Sequence, residues 1–398
     1  MWSGRRVVLG VSGGIACYKS CILARRLTEA GARVDAVLTQ AAAEFVRPLT
    51  FEALTGRPVL SSLWSRDGAL AHVRLGQDAD LIVVAPATAH LLARVAQGMA
   101  DDFLSAVLLA STAPILFAPA MNDEMYAAEP TAANLRILAA RGMHFVGPEV
   151  GALAEGPSER PGRMSEPETI LAHAARLLGR GSRLAGRHVV VTAGPSRESL
   201  DPVRVITNRS SGLMGYRIAE AAWQRGAEVE LISGPSALPA PVGPRLVRIE
   251  STAELEAAVR RALPDADLLV MAAAPADYRP AHRADGKLAR DASTLAVEFT
   301  PTADILAATR DARKPGALMV GFALETGDAV ARGKAKLERK DLDLIVVNDA
   351  LEAGAGFETA TNRVTILGRD GSAREVPLQD KRGVAEAILD VAEQYIGG

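Results

Sequence analysis

Short runs of branched aliphatic residues recur along the chain, each followed by a longer segment whose apolar positions return every three or four residues. The short runs fit strands buried on both faces of a parallel sheet, and the longer segments fit the helices that connect them. A first series places strands at residues 6–11, 33–39, 80–85, 114–118 and 144–147. A second series restarts at 188–192 and continues through 228–233, 267–272, 318–322 and 342–347. Both halves are therefore expected to be α/β. Residues 166–178 are helical in pattern and lead into Gly179-Arg180-Gly181-Ser182, whose glycines suit a junction. The boundary is expected near residue 186, giving domains 1–186 and 187–398.

Length agrees with this division, since 398 residues exceed what one hydrophobic core usually supports. Lys and Arg number 45 against 47 Asp and Glu. That balance argues against a nucleic-acid or anionic-membrane surface and leaves small molecules as the expected partners. The two cysteines, Cys17 and Cys21, fall in one helical segment and cannot make a disulfide framework. No apolar run approaches the ~20 residues that span a bilayer, and the chain enters a strand-like run at once rather than a signal-peptide core. The expectation is a soluble, cytoplasmic protein.

Each half opens with a strand, a glycine-bearing turn and a helix: Val11-Ser12-Gly13-Gly14 in the first, Thr192-Ala193-Gly194-Pro195 in the second. Glycines there let backbone amides approach an anion at a helix N-terminus. The first turn lacks the spacing G-x-G-x-x-G, so a mononucleotide phosphate fits better than a dinucleotide. Further strand ends carry Ala85-Pro86-Ala87-Thr88 and Ala118-Pro119-Ala120-Met121-Asn122, at the carboxyl edge where open α/β sheets collect ligands.

Together these residues resemble the flavoprotein family of cysteine decarboxylases over residues 5 to about 165. Pro119-Ala-Met-Asn-Asp-Glu-Met125 matches the family's P-x-M-N-x-x-M motif, with Tyr126 where many members have Trp, and His72 falls in the family's order and spacing. The resemblance implies a flavodoxin-like domain that binds FMN near Ser12, Gly13, Gly14, Thr39 and Thr88. It implies that His72 assists oxidation of a substrate thiol and that Asn122, Met125 and Met164 hold the substrate. Loss of a β-carboxyl needs an electron sink, which a flavin supplies. Asn122 suits the departing carboxylate because a fixed positive charge would overstabilise the group to be lost.

In family members that make phosphopantetheine, a clamp of the form A-C-G followed by G-x-G-R-M carries a proton-donating cysteine. Here the stretch reads Ala154-Glu-Gly-Pro-Ser-Glu-Arg-Pro-Gly-Arg-Met164, with Glu155 at the cysteine position. Either Glu155 takes over as the acid, its pKa raised by closure and desolvation, or the product stops at an enethiol. A flavin-binding regulatory module is a third reading, against which stand the ligase motifs below and the lack of an acidic low-complexity tail.

The stretch from Thr192 to Gly215 is a long, polar, glycine-bearing connection, and such loops are usually functional. It resembles the phosphopantothenate cysteine ligase family, and the likeness continues through Ile232-Ser-Gly-Pro235, Ala272-Ala-Ala-Pro-Ala-Asp-Tyr-Arg-Pro280, Val320-Gly-Phe-Ala-Leu-Glu-Thr326, Lys336-Leu-Glu-Arg-Lys340 and Val347-Asn-Asp349. The resemblance implies a Rossmann-like α/β ligase domain that joins L-cysteine to 4'-phosphopantothenate with CTP and Mg2+. It assigns the acyl-cytidylate intermediate to Asn208 and neutralisation of developing charge to Lys287. It assigns the nucleotide to Met271, Ala272, Ala273, Asp277, Lys287, Ala303, Asp304, Ile305, Leu306, Phe322, Lys336 and Lys340. Lys336 and Lys340, four residues apart, present two ammonium groups on one helix face. The chain departs from the family at Pro275, at Thr302-Ala303 before Asp304, and at Ala289 and Arg290. Metal ligands are not identified. The family also implies a homo-oligomer, with a trimer-based flavin domain and a dimeric ligase domain that would build a dodecamer. The expected chemistry is coenzyme A biosynthesis, with ligation followed by decarboxylation to 4'-phosphopantetheine.

Overall fold

A computed structural model describes residues 1–64, 70–289, 294–325, 328–349 and 359–396. Arg290 and Thr326 of the motifs above lie outside the described residues. The chain divides into two compact units, Met1–Gly179 and Arg180–Gly398, so the division falls within the glycine-bearing 179–182 stretch.

The first unit is built on five parallel strands, β1 (Arg6–Val11), β2 (Arg33–Leu38), β3 (Leu81–Ala87), β4 (Ile115–Pro119) and β5 (His144–Phe145), in the order β2-β1-β3-β4-β5. Alternate side chains of a strand point to opposite faces, and both faces here are covered. Val7, Leu9 and Val11 of β1 with Leu81, Val83 and Ala85 of β3 join the core under helices Cys17–Glu29 and Pro167–Leu178. Val8 with Ile82 and Val84 joins the opposite core under Ala89–Ala96 and Phe103–Ala110. This two-sided burial explains why the strands read as unbroken apolar runs. Beyond β5, β6 (Glu149–Val150) and β7 (Pro161–Arg163) form an antiparallel ribbon.

The second unit continues with β8 (His188–Ala193), the ribbon of β9 (Arg197–Ser199) and β10 (Val205–Thr207), then β11 (Glu228–Ser233), β12 (Arg245–Arg248) and β13 (Leu268–Met271). A second ribbon pairs β14 (Tyr278–Pro280) with β15 (Phe299–Pro301). The sheet is completed by β16 (Leu318–Glu325), β17 (Leu344–Asp349), β18 (Thr361–Gly368) and β19 (Ala373–Asp380), in the order β12-β11-β8-β13-β16-β17-β18-β19. It is parallel as far as β17 and antiparallel over the last two strands. Among the described residues, no helix is long and apolar enough to cross a membrane.

The C-terminal helix, Lys381–Tyr395, packs on helix Leu213–Gln224 through Arg225, just past that helix's end. Its guanidinium, only 9% exposed, pairs with Glu386 at 2.6 Å, Asp390 at 2.7 Å and Glu393 at 2.9 Å. Truncation would leave three carboxylates gathered on one helix face, with only Arg374, 3.9 Å from Asp390, as a remaining cation. Because those carboxylates keep some access to water, the expected cost of Arg225→Ala is ~2–3 kcal/mol. Denaturant unfolding checks it, and a midpoint unchanged from the parent would refute the packing role.

Candidate functional sites at the strand ends

In the first unit the strand order reverses at β1, and the crevice outside β1 and β3 is where such sheets bind ligands. A cavity of about 1100 Å³ opens there, lined by the turns after β1, β2, β3 and β4 and by the β6–β7 ribbon. Ser12 is a strut of this crevice. Its N–H and its hydroxyl both donate to the Pro86 carbonyl, at 3.3 and 2.8 Å, and its Oγ accepts from the Thr88 amide at 3.0 Å. Ser12 is 2% exposed, so its polar groups are spent inside the protein. The amides of Gly13 and Gly14 have no hydrogen bond among the described residues, which leaves them as candidate groups for an anion. A Cβ on Gly13 would lie 2.4 Å from that of Ala41, so the turn can approach the helix Gln40–Phe45 that follows β2 only as glycine.

Thr39 and Thr88 each cap a helix, accepting from Ala42 N at 3.2 Å and Leu91 N at 3.4 Å, and both line the cavity. Asn122 caps helix Asp123–Ala127, its Oδ1 accepting from Glu124 N at 2.9 Å and Met125 N at 3.3 Å. That cap fixes the amide and leaves its NH2 group for a ligand. Met125 is half exposed and Met164 is buried, both on the cavity wall.

Glu155 lies at the exposed tip of a tight turn closed by reciprocal Leu153 and Gly156 backbone bonds, on the cavity wall. The ribbon beneath it is fastened to the Asn122 turn: Met121 N donates to Gly162 O at 3.0 Å, and Arg160 pairs with Glu124 at 2.7 Å. His72 is placed elsewhere. It is not among the lining residues; its ring meets Phe103 edge-on with centroids 6.4 Å apart, and its Nδ1 is buried without a partner. Sequence reasoning missed Lys19, 5% exposed, whose Nζ donates to Met164 O at 2.9 Å and pairs with Glu166 at 3.0 Å. Its signal was its place in the glycine-turn motif, on the inward face of the first helix. Arg163, also on the wall, shares Glu166 with it.

In the second unit the long connection after β8 is held against the turn after β13. Thr192 Oγ1 accepts from Ala273 N at 3.1 Å, Ser196 Oγ from Ala276 N at 2.9 Å, and Gly194 O from Ala274 N at 2.9 Å. Ala272 N is taken by Val270 O. The amides of residues 272–274 are thus used internally, so this turn meets a ligand through other groups. Asn208 donates both amide hydrogens to the carbonyls of Ala274 and Pro275, at 3.1 and 3.0 Å, which leaves its carbonyl for recognition.

Lys340 pairs with Asp304 at 3.1 Å. Burial and the nearby Lys340 push the Lys336 ammonium below its ordinary pKa, with Arg339 adding and Glu325 and Asp277 opposing. Asp277, Asp304, Lys336 and Lys340 therefore share one neighbourhood, and half-buried Phe322 lies on β16 of the same sheet. Ile305 and Leu306 have core side chains, 3% and 6% exposed, so they can meet a ligand only through the backbone, and Ala303 is exposed beside them. Lys287 is exposed on an irregular segment.

Sequence reasoning also missed Asp201, although Asp-Pro is a turn signal. Burial pushes its carboxyl up, but the amides of Val203, Arg204 and Leu288 hold it below the ordinary range. Its contribution to the fold is therefore full above the ordinary carboxylate pKa and is lost as pH falls through the lowered value. Among the described residues, no three His, Cys, Asp or Glu gather as a metal site.

Residues 1–179 match the family Flavoprotein, and residues 184–395 match the DNA/pantothenate metabolism flavoprotein C-terminal domain. The first unit is thus a flavoprotein-family domain, followed by this second domain. The chain is 43% identical to the coenzyme A biosynthesis bifunctional protein CoaBC of Vibrio cholerae, covering 99% of both chains. It is 42% identical to that of Bacillus subtilis, covering 98% of this chain and 97% of the relative. A crystal structure of the C-terminal domain of a CoaBC protein is 37% identical with a TM-score of 0.46, covering 54% of this chain and 97% of that one. The chain belongs to the family of coenzyme A biosynthesis bifunctional proteins CoaBC.

Replacing Ser12 by Ala removes the hydroxyl bond to Pro86, leaving the backbone one, and leaves the part-buried Thr88 amide without its Oγ acceptor. The expected loss is ~1–3 kcal/mol, read as a lower thermal midpoint of the first unit. A midpoint equal to the parent's would show that the crevice does not rest on this strut.

Proposed function

We propose that the chain carries out two consecutive steps of coenzyme A biosynthesis. Residues 187–398 join L-cysteine to 4'-phosphopantothenate at the expense of CTP, and residues 1–186 decarboxylate the product to 4'-phosphopantetheine with FMN. The observation that carries the reading is the convergence of four strand-end turns and the Glu155 ribbon on one cavity at the switch point. Its volume exceeds the ~300–1,000 Å³ of ordinary ligand pockets, which accommodates a mononucleotide and a substrate arm together. The free amides of Gly13 and Gly14 suit the phosphate of FMN, and Thr39 and Thr88 line the same wall. When bound, FMN supplies the capacity to accept and return a hydride.

The chain's own groups do the rest. Asn122 donates from its capped amide to the substrate carboxylate, orienting it without a formal charge that would oppose loss of CO2. Met125 and Met164 flank the substrate on the cavity wall. Glu155, exposed at the tip of its turn on the cavity wall, is the group that protonates the enethiol carbon. His72 lies outside the cavity wall of its own chain, so its part in thiol oxidation is assigned to a cavity of a neighbouring copy, in keeping with a homo-oligomer whose flavin sites lie at subunit contacts.

In the ligase reaction the phosphopantothenate carboxylate attacks the α-phosphate of CTP and pyrophosphate leaves. The cysteine amine then attacks the acyl-cytidylate and CMP leaves. The first step brings two anions together and the second builds negative charge on the attacked carbonyl and the departing CMP, and Lys336, Lys340 and Lys287 with Mg2+ neutralise these charges. The Mg2+ is assigned chiefly to the nucleotide phosphates, as is usual for this ion. Asn208 presents its carbonyl to the intermediate, while Met271, Ala272, Ala273, Asp277, Ala303, Asp304, Ile305, Leu306 and Phe322 surround the nucleotide. The setting proposed is the cytoplasm, with oligomerisation up to a dodecamer.

Supplying phosphopantothenoylcysteine to the purified protein tests the decarboxylase half. The parent should release CO2 and give saturated phosphopantetheine. Glu155→Gln should still release CO2 but give a product two mass units lighter, with saturated product reduced by about ten-fold or more. Unchanged saturated product from the variant removes Glu155 as the acid. A yellow parent that releases no CO2 would instead support a flavin-binding regulatory module.

A further inference from the structure

The connection after β9 turns back on itself over residues 200–204, and Asp201 is the centre of that turn. Its side chain is fully buried, 0% exposed. One carboxylate oxygen accepts from the amides of Val203 and Arg204, each at 2.7 Å. The other accepts from the Leu288 amide at 3.1 Å and lies 3.2 Å from a guanidinium nitrogen of Arg204. Arg204 in turn donates to the Leu288 carbonyl at 3.0 Å. One carboxylate–guanidinium pair therefore grips both backbone groups of a single residue. A further bond, Ala284 N to Leu200 O at 3.0 Å, holds the segment a turn earlier.

The residue gripped is the one after Lys287. The N–H of Leu288 belongs to the peptide plane shared with Lys287, and its carbonyl belongs to the next plane. Fixing both leaves little freedom to the backbone that presents the lysine. This matters because residues 281–289 belong to no helix or strand, so sheet or helix bonds do not order them. A lysine has a long flexible stem and a point charge, and its placement must come from the backbone at its root.

We propose that Asp201 and Arg204 are positioning residues for ligation, acting by fixing Leu288 and so setting where the Lys287 ammonium is presented. This rests on the reading that Lys287 neutralises charge in the ligase reaction. Neither residue need touch the substrate for this.

Asp201→Asn is the discriminating variant in the full-length protein. The amide keeps its size and an oxygen for the Val203 and Arg204 amides, but sets an NH2 group against the Leu288 N–H, donor against donor. The kcat of ligation with CTP should fall about ten- to hundred-fold while KM for CTP moves by less than about two-fold. In a Lys287→Gln background the same substitution should change kcat by less than about two-fold, since the residue it serves is already gone. A full multiplicative loss in that background, or a parent-like kcat for the single variant, overturns the proposal. Hydrogen exchange provides a readout apart from activity: the Leu288 amide should be protected in the parent and exchange quickly in Asp201→Asn. Fast exchange in the parent overturns the grip outright. If the parent fails to ligate at all, the functional reading fails, and the exchange measurement alone still decides whether Asp201 orders this segment.

Discussion

A parallel sheet buried on both faces must end somewhere, and where its strands end the backbone loses the partners that the sheet supplied. In both units of this protein short hydroxyl side chains meet that need. Ser12 ties the turn after β1 to the turn after β3 through Pro86 and Thr88. Thr192 and Ser196 tie the turn after β8 to the turn after β13 through Ala273 and Ala276. Buried backbone groups left unpaired cost free energy comparable to a lost hydrogen bond. The struts remove that cost at the carboxyl edge and leave the neighbouring glycine amides available for a ligand.

The two sites then differ in how they treat charge. In the flavoprotein unit the group expected to meet the departing carboxylate is a neutral amide, held by the helix cap it makes, and the cations Lys19 and Arg163 share the carboxylate of Glu166 on another part of the wall. In the second unit lysines predominate around Asp277 and Asp304, and burial with mutual repulsion lowers the pKa of Lys336. A carboxyl that must leave and a carboxylate that must attack a phosphate call for opposite fields.

Much of this was legible in the amino-acid order. Strands such as β1, β3, β8 and β13 were visible because two-sided burial writes itself as unbroken aliphatic runs, and observed ends such as Leu81–Ala87 and Leu268–Met271 shift by only a residue or two. The edge pair Thr361–Gly368 and Ala373–Asp380 was not read, because one-sided burial mixes its apolar residues with Arg363, Arg374 and Glu375. The short ribbons at 149–163, 197–207 and 278–301 were invisible for another reason: two or three residues carry no period. Candidate residues at strand ends were found through their turns. What patterning could not say is how each polar atom is used. Ser12 spends both its hydrogens on Pro86, the amides of 272–274 are occupied, and His72 packs edge-on against Phe103 without itself lining the cavity of its own chain.

The central claim is that one chain performs ligation and decarboxylation on the same cysteine, and an isotope placed on that cysteine tests it most directly. The full-length protein would be given 4'-phosphopantothenate, CTP, Mg2+ and L-cysteine labelled with 13C at the carboxyl carbon. The expected result is labelled CO2 released in step with CMP, and phosphopantetheine that carries no label. Label retained in phosphopantothenoylcysteine, with CMP formed but no labelled CO2, would contradict the account of the first unit; no CMP at all would contradict that of the second.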